Sequence, residues 1–218
     1  MMKIVTEEKL KMSKEEISNK SYKICKNTNF PVDEEDVYNH LFGNSDLVSK
    51  YLLNEKSEIV GFEVAQEYPL MINDIEMTLA YLQGMVISKE YQGKGYSIDM
   101  LKSIYNYFKS DLFGLRTQNP KMAKAMLGLF DNILLRIPED NNKKLASFII
   151  NDFLPTIRII PAYKDIDNTG IVRNCYSTQL CPEREKLKII NNNIALGEND
   201  ALAVIVAPSK HNSKILLP

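Results

Sequence analysis

The hydrophobic pattern of this chain changes its period at a short loop that contains Gly93 and Gly95, and this change constrains the fold more than any other feature. Before the loop, residues 75–88 alternate as a strand does, with one set of side chains on each face. After the loop, from Ser97, apolar residues recur at helical spacing. A strand that passes through a glycine loop directly into a helix is typical of an α/β fold.

The residues before this strand predict two helices and a hairpin. Ser13 and Glu16 have the spacing of a capping box, in which each side chain satisfies a backbone N–H at a helix start. Acidic residues at 33–35 mark the start of a second helix. Residues 47–53 and 59–64 are rich in apolar side chains and flank a polar turn, so they predict a β-hairpin.

The residues after the glycine loop predict a helix, a short strand and another helix. The first helix would bury a stripe made of Ile98, Leu101, Tyr105 and Phe108, with Ile104 beside it. Residues 112–115 predict the strand. Asn119 is a favoured N-cap and Pro120 a favoured first helical residue, so the second helix begins there. The apolar side of that second helix would contain Met122, Met126, Leu129 and Phe130.

The pattern beyond residue 138 is less regular. It predicts a helix over residues 141–153, strands over 156–160 and 201–207, and a turn at 197–200. The remainder is open to two interpretations, an extra hairpin or a lid over the site. We expect a single domain over residues 1–218, in which residues 138–218 form a C-terminal extension that completes or covers the sheet.

Composition excludes several classes of protein. Hydrophobic residues make up 44% of the 218 residues and charged residues 25%, which are ordinary values for a soluble globular chain. The formal net charge of -1 gives no electrostatic reason to expect nucleic acid or a membrane surface as a partner. No apolar run reaches the roughly 20 residues of a membrane helix, and the N-terminus lacks the apolar core of a signal peptide. We therefore expect a cytoplasmic protein.

The cysteines and histidines predict neither a disulfide nor a metal site. Cys25, Cys175 and Cys181 are an odd number of cysteines without CxxC spacing, which is typical of free thiols. His40 and His211 are far apart in sequence, and isolated histidines of this kind are usually surface or packing residues. We expect no bound metal ion.

The glycine loop, residues 92–97, has the properties of an anion site. Glycine allows the backbone to approach a ligand closely, and the following helix start offers free N–H groups and a positive dipole end, which suits a pyrophosphate. Lys94 would add a charge at the rim. The alternative is a strand-to-helix turn without a ligand. A Walker loop and a dinucleotide fingerprint are both excluded, the first by its glycine spacing and the second because Ile98 replaces the third glycine.

Residues 85–97 resemble the coenzyme A motif of the GNAT superfamily of acetyltransferases. The signature is Gln or Arg, two residues, Gly, one residue, then Gly or Ala; Gln92, Gly95 and Ser97 occupy these places, with serine as a small-residue departure. The resemblance extends from about residue 47 to about residue 130. Asn119 stands where many members have an asparagine that contacts coenzyme A.

The resemblance implies a fold, a cofactor and a set of binding residues. The fold is a central mixed, mostly antiparallel sheet of six or seven strands flanked by helices, and the co-substrate is acetyl-CoA. Backbone groups of Met85 and Ile87 would pair with the pantetheine arm as an added strand would, and amides of the glycine loop would hold the pyrophosphate. The implied cofactor-binding residues are Met85, Val86, Ile87, Gln92, Gly93, Lys94, Gly95, Tyr96, Ser97 and Asn119.

The implied reaction is direct attack by a neutral primary amine on the thioester, without a covalent enzyme intermediate. The acceptor would be a small molecule, a polyamine, an amino acid or a protein. The pattern is compatible with a homodimer.

Two places depart from the family pattern. The position seven residues after Asn119 often holds a tyrosine that protonates the departing thiolate; here it is Met126, and a thioether has no proton to donate. Tyr81 occupies the place of a glutamate base found in one branch, which makes it the catalytic candidate. Glu76, earlier on the same strand, and Glu63, on the neighbouring strand, rank below it because their directions depend on strand register. The alternatives are a non-catalytic acyl-CoA-binding domain and an interaction module whose C-terminal region covers the cleft.

Overall fold

The computed structural model describes residues 2–129, 132–133, 149–175, 181, 186–187 and 196–207. The strands in this part of the chain are β1 (Lys3–Thr6), β2 (Leu47–Leu53), β3 (Ile59–Ile72), β4 (Ile75–Ile87), β5 (Leu112–Thr117), β6 (Asn132–Ile133), β7 (Ile171–Val172) and β8 (Ala201–Ala207). The α-helices are α1 (Lys14–Asn27), α2 (Glu34–Phe42), α3 (Tyr96–Phe108), α4 (Pro120–Leu129) and α5 (Leu154–Ile157).

Both predicted N-terminal helix starts are confirmed at atomic detail. The Ser13 hydroxyl accepts a hydrogen bond from the Glu16 N–H at 3.2 Å, and the Glu16 carboxylate accepts one from the Ser13 N–H at 3.0 Å. Asp33 and Asp36 form the same reciprocal pair at the start of α2. These bonds satisfy donors that a helix start otherwise leaves free, so the sequence determines where both helices begin.

The chain forms two compact units. The first comprises residues 1–67 and 82–109, and the second comprises residues 68–81 and 110–218. The long strands β3 and β4 contribute a segment to each unit.

The strands of the first unit follow the order β1-β2-β3-β4, and the pairs β1–β2 and β2–β3 are antiparallel. Helices cover both faces of these strands. Tyr51 and Leu52 are neighbours on β2 and therefore point to opposite faces. Tyr51 packs in a cluster with Ile17 of α1 and Leu41 of α2, whereas Leu52 packs with Met100 of α3. The α1/α2 face and the α3 face are therefore separate apolar cores.

The strands of the second unit follow the order β3-β4-β5-β8-β6, and β7 also pairs with β8. Strands β5, β6 and β7 are all antiparallel to β8. Strands β4 and β5 are neighbours in the sheet, and Asp111, directly before β5, exchanges two hydrogen bonds with Thr78 of β4. The predicted fold class, a mixed and mostly antiparallel sheet with flanking helices, is confirmed. The described residues contain eight strands where six or seven were predicted, and two of the eight, β6 and β7, have only two residues each.

Two details of the prediction are wrong. Residues 156–160 form no strand, because Leu154 and Ile157 are both buried at helical spacing in α5 and the Thr156 hydroxyl donates to the Asp152 carbonyl at 2.9 Å. A π-helical turn, Ile149–Phe153, precedes α5. Of the predicted helix over residues 141–153, residues 141–148 lie outside the described residues, as does His211.

The buried stripe of α3 also differs from the prediction. Met100, Leu101 and Ile104 are fully buried, whereas Ile98 is 37% exposed. The predicted stripe and the observed one both have helical spacing. The observed stripe is centred on Met100, which packs against Leu52 of β2.

Candidate active site

The end of β4 presents backbone groups away from its neighbouring strand. In the first unit, residues 82–87 form the last strand of the order β1-β2-β3-β4. The Val86 carbonyl points towards β3, since its oxygen lies 3.0 Å from the position that a Cβ atom would take at Gly61. Backbone groups alternate in direction along a strand, so those of Met85 and Ile87 point away from β3. The side chains of Met85 and Ile87 pack towards α3 and that of Val86 towards α1 and α2, which is the predicted alternation.

The glycine loop has a backbone conformation that requires its glycines. A 3₁₀ turn, Lys89–Tyr91, leads from β4 into the loop. Gly93 has a φ of 73° and Gly95 a φ of 86°, values in the left-handed region that other residues adopt only at a cost. A Cβ atom at either glycine would meet no atom within 4 Å, so the space over the loop is open.

The loop carries a run of backbone donors available to a ligand. Among the described residues, the N–H groups of residues 93–97 donate to no protein acceptor. The last two belong to the first turn of α3, where intrahelical acceptors do not exist. The positive end of the helix dipole lies at the same place. Free donors, positive φ values and a helix start together form a concave anion site that fits a pyrophosphate.

Side chains hold the loop against the rest of the first unit. The Gln92 amide donates to the Ile87 carbonyl at 2.7 Å, which ties the loop back to the end of β4. The Asn54 amide donates to the Tyr91 hydroxyl at 3.3 Å. The Lys94 ammonium lies 5.3 Å from the centroid of the Tyr91 ring, in cation–π contact. The Gln92 side chain therefore serves loop closure in this structure.

The other predicted site residues lie in the second unit. Tyr81 is 4% exposed, and its ring packs edge-to-face on Tyr163 with centroids 5.2 Å apart. The Asn119 side-chain oxygen accepts a hydrogen bond from the Lys121 N–H at 2.9 Å and so caps α4. Met126 is fully buried. A catalytic role for Tyr81 and coenzyme A contact by Asn119 stay predictions.

Glu63 is a buried carboxyl group with an unusual environment. It is 0% exposed, and neither carboxylate oxygen has a hydrogen-bond partner among the described residues. Burial raises the pKa of Glu63 well above its ordinary value, opposed by the positive charge of Lys50. Lys50 pairs with Glu63 across β2 and β3, so the two side chains share the α3 face, where the Lys50 ammonium donates to the carbonyl and hydroxyl oxygens of Ser103 at 2.6 and 2.8 Å.

His40 of α2 lies against the backbone of β4. Its Nε2 atom is 2.9 Å from the position that a Cβ atom would take at Gly84, so the imidazole rests on the backbone of β4. The sequence-based interpretation of His40 as a surface or packing residue did not anticipate this contact. The signal was the combination of a helix that packs on the sheet and a glycine in the middle of a strand.

Neither a metal centre nor a membrane span emerges from the part of the chain that the structure describes. In that part, no group of three or more His, Cys, Asp or Glu side chains is arranged to hold a metal ion. The described helices are also too short or too polar to cross a membrane.

No family model and no curated protein matches the sequence. Solved structures do match it. The ribosomal-protein-S18-alanine N-acetyltransferase from Escherichia coli is 14% identical, with 96% of this chain and 95% of that chain covered and a TM-score of 0.49. Arabidopsis thaliana NAA60 in complex with a bisubstrate analogue is 16% identical, with 59% and 83% covered and a TM-score of 0.46. A GNAT family acetyltransferase from Staphylococcus aureus is 19% identical, with 50% and 78% covered and a TM-score of 0.40.

The strand, glycine loop and helix at residues 82–108 and the mixed sheet come from the chain's own geometry. In these features the chain is similar to the GNAT family of acetyltransferases, as its motif predicts.

Proposed function

We propose that this chain is a GNAT-type N-acetyltransferase that binds acetyl-CoA and transfers the acetyl group to a primary amine. One observation carries the proposal: within the described part of the chain, the N–H groups of residues 93–97 have no protein acceptor, and they lie at a helix start that follows a strand with outward-facing backbone groups. This arrangement suits a ligand with a pyrophosphate at one end and an amide-containing extended arm at the other.

Each part of the site would have a separate task. Amides of the glycine loop would hold the pyrophosphate. The Met85 backbone would pair with the pantetheine arm, while the Ile87 carbonyl already accepts from Gln92. The protein would then contribute chiefly by positioning the thioester and by stabilising the oxyanion that forms on its carbonyl oxygen.

The chemistry at the reacting carbon is acyl transfer by direct attack. The amine nitrogen forms a bond to the acetyl carbon, the carbon–sulfur bond breaks, and its electron pair stays on sulfur. Tyr81 is the candidate from sequence for a residue in contact with the acetyl group or the amine. Because Met126 has no proton to donate, the thiolate would take its proton from solvent or from another side chain.

Two measurements on the purified chain test the proposal. Coenzyme A should raise the melting temperature, since a ligand that binds only the folded state stabilises it in proportion to the logarithm of its concentration over Kd. Acetyl-CoA should release free thiol only when an amine from a panel of polyamines, amino acids, aminoglycosides and peptides is present. Absence of both effects would contradict the proposal.

A second function is favoured by Met126 in the place of the usual tyrosine. In that case the chain is a non-catalytic acyl-CoA-binding domain. Thermal stabilisation by coenzyme A without thiol release, for every amine in the panel, would select this function over the first.

A further inference from the structure

His40 occupies a site that exists because residue 84 is a glycine. The imidazole projects from α2 onto β4, and its Nε2 atom lies 2.9 Å from the position of a Cβ at Gly84. Real Cβ contacts of this length do not occur, so any other residue at position 84 would displace the ring. Gly84 is adjacent to Met85, the residue whose backbone faces away from β3.

The imidazole is available for proton transfer. Among the described residues, no hydrogen bond to the His40 side chain is present, and the residue is half-buried. Burial lowers the pKa of His40, which favours the neutral ring with one unprotonated nitrogen. Burial is the sole cause of the shift; segment 82–87 of β4 bears no charge, and the acidic first turn of α2 (Glu34, Glu35 and Asp36) does not contribute.

The position of His40 along β4 matches the reacting end of the ligand, an argument that rests on the proposed function. The pyrophosphate site follows the C-terminal end of β4, so an arm that pairs with this strand runs back from Ile87 towards Gly84. Three residues of strand span about 10 Å. An arm that pairs with the strand over these three residues would bring its far end, the thioester, to the level of the backbone on which the imidazole rests.

We propose that His40 is the general base of the transfer reaction. As the amine nitrogen bonds to the acetyl carbon and the carbon–sulfur bond breaks, the nitrogen loses one proton to the unprotonated nitrogen of His40. The imidazolium then returns this proton to solvent, and the thiolate leaves with the bonding electron pair. Glu63, on the α3 face, is fully buried and has no surface from which to accept a proton from a ligand, whereas His40, on the α1/α2 face, is half-buried.

The test compares His40→Gln with Asn39→Gln, an exposed neighbour on the same helix. We expect His40→Gln to lower kcat by about 10²–10⁴-fold, the usual contribution of a general base. The KM for acetyl-CoA and the thermal shift with coenzyme A should stay at wild-type values, as should all parameters of Asn39→Gln. A His40→Gln rate within about threefold of wild type, alongside an active wild type, overturns the inference but leaves the proposed function standing; an inactive wild type contradicts the proposed function itself.

Two further readouts separate proton transfer from a packing role. In the wild type, a plot of log kcat/KM for the amine against pH should rise with a slope of about 2 below the pKa of His40 and of about 1 above it. The reason is that both the base and the amine must be unprotonated. The slope of 2 should be absent in His40→Gln. Added imidazole should raise the kcat of His40→Ala at least about tenfold over its value without imidazole. If the variants fail to fold, a wild-type profile with a single slope overturns the inference.

Discussion

At the scale of single residues, Glu63 shows how a buried charge is avoided. A carboxylate that is fully covered and lacks hydrogen bonds costs several kcal/mol, so the protonated form is favoured in the folded chain. In the unfolded chain the carboxyl ionises at its ordinary value of about 4.5. The folded state therefore binds one more proton than the unfolded state in the range between the two pKa values, and stability falls as pH rises through that range.

We predict that Glu63→Gln stabilises the chain at neutral and higher pH. The amide has nearly the same shape and cannot ionise, so the variant should melt a few degrees higher than wild type at pH 8, where about 1 kcal/mol corresponds to about 2–4 °C for a chain of this length. The difference should shrink towards pH 4.5. Melting curves between pH 4.5 and 8.5 measure this trend.

The control for this prediction is Glu35→Gln, which removes a carboxylate from the exposed first turn of α2. The difference in melting temperature between Glu35→Gln and wild type should not increase with pH, unlike the difference for Glu63→Gln. If the melting temperature of Glu63→Gln exceeded that of wild type by the same amount at every pH, ionisation of the Glu63 carboxyl would not be the cause of the difference.

At the scale of elements, the glycine loop depends on two residues with positive φ. Gly95 is the N-cap of α3 and adopts the left-handed conformation without strain. We predict that Gly95→Ala weakens coenzyme A binding at least about tenfold, because the left-handed conformation costs a non-glycine residue roughly 1–2 kcal/mol and relaxation would turn the N–H groups away. Titration calorimetry measures Kd, and the unliganded melting temperature should fall by only a few degrees.

Gly128→Ala is the matched substitution for this prediction. Gly128 is exposed in α4, has ordinary helical φ and leaves space for a methyl group. Alanine is favoured over glycine in a helix, so stability should be equal or slightly higher and coenzyme A affinity unchanged. Equal effects of the two substitutions on Kd would contradict the role given to the loop.

Elements with a local chemical signal were predictable from the sequence. Ser13, Asp33 and Asn119 start helices because their side chains accept hydrogen bonds from the first turn, and this requires no knowledge of the rest of the fold. Alternation similarly gave β4 its bounds within one residue. The loop between β4 and α3 followed from the change of period.

Elements shaped by tertiary contacts were not predictable. Four of the five residues from Thr156 to Ile160 are β-branched, which favours a strand, yet packing of Leu154 and Ile157 on one face forms a helical turn. The contact between His40 and Gly84 joins residues 44 positions apart; the glycine within β4 signals a close approach but does not identify the residue that makes it. Among the described residues, the Glu63 carboxyl has no hydrogen-bond partner, and this too depends on how the core assembles.

At the scale of the whole molecule, a charged cluster joins distant parts of the second unit. Arg173 forms ion pairs with Asp167 and Asp200, each at 2.6 Å, and Asp200 also accepts hydrogen bonds from the N–H groups of Asn174 and Gly197. Partial burial raises the pKa of Asp200, but these hydrogen bonds and the Arg173 charge outweigh it and lower the pKa. Stability from this group is present above about pH 3.8 and is lost as pH falls through the lowered pKa.

We predict that Asp200→Asn destabilises the chain at pH 7 by about 2 kcal/mol, the scale of a hydrogen bond to a charged group, or about 4–8 °C in Tm. The difference from wild type should narrow as pH falls below 3.8. Asp165→Asn, at an exposed position nearby, should leave Tm within about 1–2 °C of wild type. A Tm loss in Asp200→Asn that is the same at pH 3 and pH 7 would exclude the ionised carboxylate as its source.

The hydrogen bonds from Gln92 to Ile87 and from Asn54 to Tyr91 fix the glycine loop before a ligand arrives. A site in this state loses little conformational entropy when it is filled, so most of the interaction energy is retained as affinity. On the proposed function, encounter with coenzyme A would require no prior rearrangement of the loop, and differences in affinity between acyl-CoA species would be expressed in how long each stays bound.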